Sequence, residues 1–338
     1  MRIRLLLVPL AALVLASPLG AAPPARSWAQ PEIVFTTSHG LLGGNAATFR
    51  PDAALTQAEL AELVAALTAK PPAAVANPSA PVTLAGLDAH LVRALGLSGA
   101  ASRFAAAARA AGLAPPSRFG TEVVARLAGL RTNHPAAQDA LELLPADSAT
   151  RAETAFSVAR ILRLTQANRD AVNAAAAAFA LPTLTEDQRL VLKTAVFFIG
   201  YPYVWGGESE RRDSPFGPQA QGGFDCSGFA WRVIKLQAYP SLPALATTLR
   251  GRTTMTMSGE VPKAKRIPAG SVQAGDLLFF GARGPASKPA EIDHMAISLG
   301  NGWLIHSSSY GVALAPVAGW YAQRLAWARR PLAEAAAS

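Results

Sequence analysis

The chain has 338 residues, 51% hydrophobic and 16% charged, with a formal net charge of +9. That is long enough for two ordinary domains around a buried core, and too apolar for a disordered tail. Its basic residues are scattered in short clusters such as Lys263-Ala264-Lys265-Arg266, not set in a stripe interleaved with aromatics, which argues against nucleic acid and leaves anionic lipid or wall polymer as charge partners.

Residues 1–22 combine a positive start (Arg2, Arg4), an apolar run from Leu5 to Ala16 and a small-residue stretch, Gly20-Ala21-Ala22. This is the pattern of a secretory signal peptide, with an uncleaved anchor as the alternative. Cleavage after Ala22 removes two arginines and no acid, so +9 becomes +7. No cysteine follows the apolar run, so a lipid-modified N-terminus is not expected. No later stretch is long and apolar enough to span a bilayer. The mature protein is expected to be exported, to the cell wall or the extracellular space.

Two segments then resemble one another: "FRPDAALTQAELAELVAALTAK" from Phe49 and "LLPADSATRAETAFSVARILRL" from Leu143. Aligning Thr56 with Thr150 places Glu59 on Glu153, and each T-x-x-E predicts a capping box at a helix start. Apolar residues follow at helical spacing: Leu60, Val64 and Leu67, then Ala155, Val158 and Ile161. Between them "PVTLAGLDAHLVRALGL" and "RFGTEVVARLAGL" read as amphipathic helices broken by Gly and Pro. The expectation is an all-α domain of degenerate repeats over residues 31–167. An alanine run ending in Leu181-Pro182 predicts a linker over 168–184, after which Thr185 caps a helix to about Ile199.

The remainder, residues 185–332, has a different grammar. "PYVWGG" leads into a polar loop, then a helix beginning at Cys226, then short strand-like runs: "DLLFFG", "HMAISLG", "WLIHSSS", "GVALAPV" and "LAWARRP". A helix followed by antiparallel strands predicts an α+β domain. Cys226 is the sole cysteine. It can be an intermolecular bridge, an inert buried thiol or a nucleophile. Phe229, Ala230 and Val233 continue the buried stripe from it, so the thiol starts a helix whose dipole would favour a thiolate and lower its pKa.

A thiol nucleophile needs a base. His294 and His306 flank a "GNG" turn on adjacent predicted strands. Opposed residues on a hairpin have a constant index sum. A two-residue Asn301-Gly302 turn gives 603 and separates the two imidazoles onto opposite faces. A three-residue loop, Gly300-Asn301-Gly302, gives 602; His306 then opposes Ala296 and both imidazoles share a face. One Cys and two His could instead bind zinc, but short-spaced ligand pairs such as C-x-x-C are absent. Neither metal nor cofactor is expected.

Two resemblances attach to these residues. Phe49-Arg50-Pro51-Asp52 with Thr56-Gln57-Ala58-Glu59, and Thr150-Arg151-Ala152-Glu153, resemble the F-x-P-D and T-R-A-E elements of S-layer-homology repeats, although Gln57 replaces an arginine and three full repeats are not evident. That resemblance implies a grip on anionic cell-wall polymer; the alternative is that these are simply well-capped helices. "YPYVWGG", "GGFDCSGFAWRV", "AGDLLFF" and "DHMAISLGNGWLIHSS" resemble, in order and spacing, the NlpC-type cell-wall cysteine peptidases over residues 186–332. The resemblance implies a papain-like fold in which a helix bearing Cys packs on an antiparallel sheet bearing His. It further implies Cys226 as nucleophile, His294 as base and His306 as the third polar position. Tyr203 would serve the oxyanion or substrate, and Asp225 and Ser227 polar groups of the stem peptide, including a free amine.

The bland readings are a core aromatic for Tyr203 and helix-start caps for Asp225 and Ser227. Asp276 reads as a turn former. The long loop at 208–221, and Ala274 where the family commonly has proline, depart from the family pattern. The resulting expectation is a secreted peptidoglycan hydrolase that cuts the D-glutamyl to diamino-acid bond of the stem peptide. An N-acetylmuramoyl-L-alanine amidase, a non-catalytic wall-binding protein and a thiol-linked dimer are the alternatives.

Overall fold

The computed structural model describes residues 27–215, 217–219 and 221–337. The predicted signal peptide, residues 1–22, lies outside them. The first half is helical: α1 (Gln30–Ser38), α2 (Gln57–Thr68), α3 (Leu84–Ala94), α4 (Ser98–Ala110), α5 (Phe119–Leu127), α6 (Arg151–Arg163) and α7 (Gln166–Ala178). Thr56, Thr83 and Thr150 are the N-caps of α2, α3 and α6, each accepting from the amide three residues on. The residues before them close a ring of backbone hydrogen bonds. Leu55 N donates to Ala149 O (2.8 Å), Ala149 N to Val82 O (2.8 Å) and Val82 N to Leu55 O (2.9 Å). All three side chains are buried at the centre.

Only the first of the two expected capping boxes is complete. Glu59 Oε2 accepts from Thr56 N at 2.9 Å. Glu153 faces inward instead, against Arg131 (3.4 Å) and His134 (3.2 Å). Arg131 also pairs with Asp88 and donates to Ser157, so this buried network ties α3 to α6. The buried Arg131 guanidinium, which already holds Asp88, draws the Glu153 carboxylate inward by a charge-assisted bond that a neutral cap amide does not match.

The segment expected as a linker is mostly helix and is docked. Val172, Ala176, Phe179 and Leu184 are buried. Phe179 packs between Phe104 and Trp303, with ring centroids 5.0 Å from each. The small side chains of α7 let it approach α4 closely, and one hydrophobic core runs from the helical half into the sheet. Arg118 and Arg126 add hydrogen bonds to the carbonyls of Ile199 (3.1 Å) and Gly200 (2.8 Å).

Beyond α8 (Glu186–Phe197), capped by Thr185 and Gln188, comes a two-stranded ribbon of β1 (Glu208–Ser209) and β2 (Gly223–Phe224). It leads into α9 (Cys226–Trp231). Short helices α10 (Leu245–Thr248) and α11 (Thr254–Gly259) precede a five-stranded antiparallel sheet. Its strands are β3 (Leu277–Gly281), β4 (Ile292–Gly300), β5 (Trp303–Ser308), β6 (Gly311–Pro316) and β7 (Leu325–Arg329) in the order β6-β5-β4-β3-β7. Helix α12 (Trp320–Arg324) crosses between β6 and β7. One sheet face packs on α9, and the other buries Leu278, Phe280, Ala296, Leu304 and Ala328. Asp276 fixes the turn into β3, accepting from Gln273 N at 2.8 Å and pairing with Arg330 at 2.8 Å. This is the expected α+β arrangement.

Candidate active site

The start of α9 is built by close backbone approach. A Cβ on Gly228 would lie 1.8 Å from Gly207 O, so only glycine lets the helix seat against the 207 turn. Gly223, at φ +146°, brings β2 within contact of Pro202 in the same way. Asp225 is the N-cap: its Oδ1 accepts from Gly228 N (2.5 Å) and from Ser227 Oγ (2.9 Å). The capping reading is therefore realised for Asp225, whereas Ser227 lies within the helix and its hydroxyl supports the capping carboxylate.

A residue that the sequence reading passed over organises this corner. Arg252 donates to Glu208 (2.8 Å), Ser227 Oγ (2.8 Å), Asp225 Oδ1 (3.2 Å) and the carbonyls of Gly206 (3.0 Å) and Gly207 (3.1 Å). It lies 25 positions beyond Ser227 in a loop, where periodicity offers no signal.

Cys226 is 9% exposed, and its sulfur is hydrogen-bonded by the backbone amides of Met295 and Ser227. The expectation of a low thiol pKa fails. Burial pushes the thiol up to about 12, the neighbouring Asp225 carboxylate adds to the rise, and the two amides and Arg252 only partly offset it. Arg252 is the nearby cation, and it is already engaged by Asp225 and Glu208.

The turn itself is the two-residue Asn301-Gly302, with Gly300 opposite Trp303 (index sum 603). A bulge between Ser298 and Gly300 shifts the register so that Ile297 pairs with Ile305 and Ser298 with Leu304, the sum of 602. Gly300, Asn301 and Gly302 all take positive φ (84°, 49° and 74°), which few residue types other than Gly and Asn accept readily. His294 and His306 consequently share a face, and His294 Nε2 lies 2.8 Å from His306 Nδ1. Since Met295 donates its amide to the Cys226 sulfur, His294 is one residue from the thiol contact. Burial lowers the His294 pKa to about 4 and that of His306 well below its ordinary value. Both rings are neutral at pH 7.

On the far side of His306, Tyr321 Oη lies 3.3 Å from Nε2, with the rings edge-on at 5.2 Å. Tyr321, in the short helix α12, carried no sequence signal. Burial raises its phenol pKa to about 12, so it stays protonated. Tyr203 is half-buried. Its phenol is raised by burial first, and then by the charges of Cys226, Asp225 and Asp139. Asp139 comes from the helical half and accepts from Trp205 N at 3.2 Å. Among the described residues, no three His, Cys, Asp or Glu side chains gather as a metal site.

Residues 200–330 match the NlpC/P60 family and form an NlpC/P60 domain. The gamma-D-glutamyl-L-lysine dipeptidyl-peptidase of Bacillus subtilis is 33% identical over 125 residues, covering 37% of this chain and 33% of that protein. The bifunctional muramidase/DL-endopeptidase CwlT of the same organism is 32% identical over 123 residues, covering 36% of this chain and 30% of that one. A solved NlpC/P60 family protein from Bacillus cereus is 25% identical, covering 46% of this chain and 43% of that one, with a TM-score of 0.33. The chain thus spans about a third of the length of the curated relatives it matches.

Proposed function

We propose that this chain is an exported peptidoglycan endopeptidase. Cys226 attacks an amide of the stem peptide between a D-glutamyl residue and a diamino acid, with His294 as base and His306 as its positioning partner. The observation that carries the proposal is the 2.8 Å bond between the two imidazoles, one residue from the amide that touches the thiol. The similarity of residues 200–330 to relatives named as endopeptidases supports the substrate class.

The proton positions follow from the chain of partners. If His294 Nε2–H donates to His306 Nδ1, the Nδ1 of His294 is left unprotonated and able to act as base. His306 then carries its proton on Nε2 and donates it to the oxygen of Tyr321. With the thiol near 12 and the imidazole near 4, the resting pair is neutral. Sulfur gives its proton to His294 as the S–C bond forms, and the carbonyl electrons move to oxygen. Tyr203, kept protonated by its raised pKa, and the Cys226 amide donate to that oxyanion. As the tetrahedral centre collapses, the C–N bond breaks and the His294 imidazolium protonates the leaving amine. Water, deprotonated by His294, then hydrolyses the thioester to a carboxylate and restores the thiol.

Asp225 and Ser227 are proposed to meet polar stem-peptide groups with the acceptor capacity that the cap leaves them. Export rests on residues 1–22. Attachment to anionic wall polymer through the helical half is proposed from the cap ring at Leu55, Val82 and Ala149. Arg151, of the T-R-A-E element, is already bound to Phe49 O (2.9 Å), Leu42 O (2.7 Å) and Glu59, so exposed cations such as Arg50 would carry that contact.

The test is digestion of sacculi and defined stem peptides by the protein and its Cys226→Ala variant, read by mass spectrometry. New termini at the D-glutamyl bond, absent with Cys226→Ala, support the proposal. Cleavage at the muramoyl–alanine bond would make it an amidase. No cleavage, with both proteins pelleting with the wall, would leave a binding protein.

A further inference from the structure

Between the helical half and the sheet lies a cavity of about 450 Å³. Arg126, Arg160 and Arg163 stand on its helical side, and Tyr310, Tyr321 and His306 on its catalytic side. No Asp or Glu lines it. Arg126 is buried and bound to Glu122 and to Gly200 O, while its Nε has no partner. Arg160 and Arg163, in the last turn of α6, are exposed, and neither forms an ion pair among the described residues. Arg163 lies over the ring of Phe35 at 4.2 Å, which orients the guanidinium without neutralising it.

Basic residues at a helix C-terminus complement the helix dipole, and that alone would explain one of them. It does not explain why two unneutralised guanidiniums border an acid-free chamber whose opposite wall holds His306 and its partner Tyr321. A planar guanidinium offers paired donors that match a carboxylate. The apolar floor from Leu314 and Val172 suits the aliphatic stem of an amino acid.

We propose that this chamber is a subsite for a free carboxylate of the stem peptide, held by Arg160 and Arg163 while the scissile amide lies at Cys226. The inference rests on the hydrolase reading and assigns the helical half a share in substrate choice: peptides whose carboxylates are amidated bind less well.

The experiment uses the full chain and two matched stem peptides, one with free carboxylates and one amidated. The intact protein should show a KM roughly tenfold lower for the carboxylate form. Replacing both arginines (Arg160→Gln with Arg163→Gln) should abolish that preference while leaving kcat on the amidated peptide unchanged, and Arg163→Lys should retain most of it. Equal KM values for the intact protein, or a preference that survives in the double variant, would overturn the inference. Binding of both peptides to the Cys226→Ala variant, followed by calorimetry, reads the subsite without turnover. Absence of cleavage therefore defeats the hydrolase reading alone, whereas equal affinity for the two peptides defeats the subsite.

Discussion

Alkylation of Cys226 tests the electrostatics of the site directly. The thiol's ordinary value is 9.0, and burial with the Asp225 charge lifts it to about 12. That difference holds the thiolate fraction at neutral pH about a thousandfold below that of an exposed cysteine, equivalent to roughly 4 kcal/mol against ionisation. Only the thiolate reacts with iodoacetamide. The rate, followed by intact mass between pH 6 and 10, should therefore rise about tenfold per pH step without a plateau. Steric shielding lowers every point equally, so the slope isolates ionisation from access. Asp225→Asn keeps a side-chain cap for Gly228 and removes one negative charge, and it should speed alkylation by up to about tenfold at fixed pH. A plateau below pH 8 would refute the reasoning, because it would mean that Cys226 and His294 already exist as a thiolate–imidazolium pair.

Tyr321→Phe removes the acceptor for His306 Nε2. It should lower kcat about fivefold to tenfold with KM unchanged and move the acid limb of the pH–rate profile; a purely structural role would lower the melting temperature and leave the limb in place. Glu142 is buried, and its carboxyl is raised to about 8 from 4.5, so the folded state keeps a proton that the unfolded chain loses. Its contribution is thus intact below pH 4.5 and lost as pH rises through 8, on the order of a few kcal/mol. Glu142→Gln should raise the melting temperature relative to the parent at pH 8 and not at pH 4. Phe179→Ala should cost about 3–5 kcal/mol by opening a cavity against Phe104 and Trp303, measured by urea unfolding. A loss below 1 kcal/mol would mean the two halves are tethered rather than packed.

What could be read from the chain is what local rules dictate. The period-2 strands and the glycines around Asn301 left two registers open, 602 and 603, and a bulge between Ser298 and Gly300 decides for 602, with both imidazoles on one face. Thr56 and Thr150 announced helix starts, and both are caps. The third member of the ring, Thr83, went unnoticed because Gly86 stands where the other two have glutamate, so half of the local signal is missing. The alanine run of α7 favours a helix, but alanine carries too little apolar signal to say whether that helix links or packs, and only Phe104 and Trp303 decide between them. The α7 failure concerns partners distant in sequence, whereas Thr83 lacks half of a local signal.

The same limit governs the chemistry. A cysteine at a helix start next to a histidine strand reads as a thiolate, because the helix dipole is a local feature. Its desolvation is not local, since it depends on the sheet that packs against α9 from far along the chain. Arg252 lowers the thiol pKa but does not outweigh burial, because its charge is shared with Asp225 and Glu208. In the proposed mechanism His294 acts as base in the tautomer that His306 and Tyr321 set between them, through a residue 15 positions beyond His306 on a helix that the strand pattern never suggested. With a neutral resting pair, charge separates only when an amide is in place to accept the sulfur, and water meets an un-ionised thiol in the meantime. On the proposed reading, a buried, un-ionised nucleophile would suit an exported enzyme, because the thiolate is the form that oxidants attack.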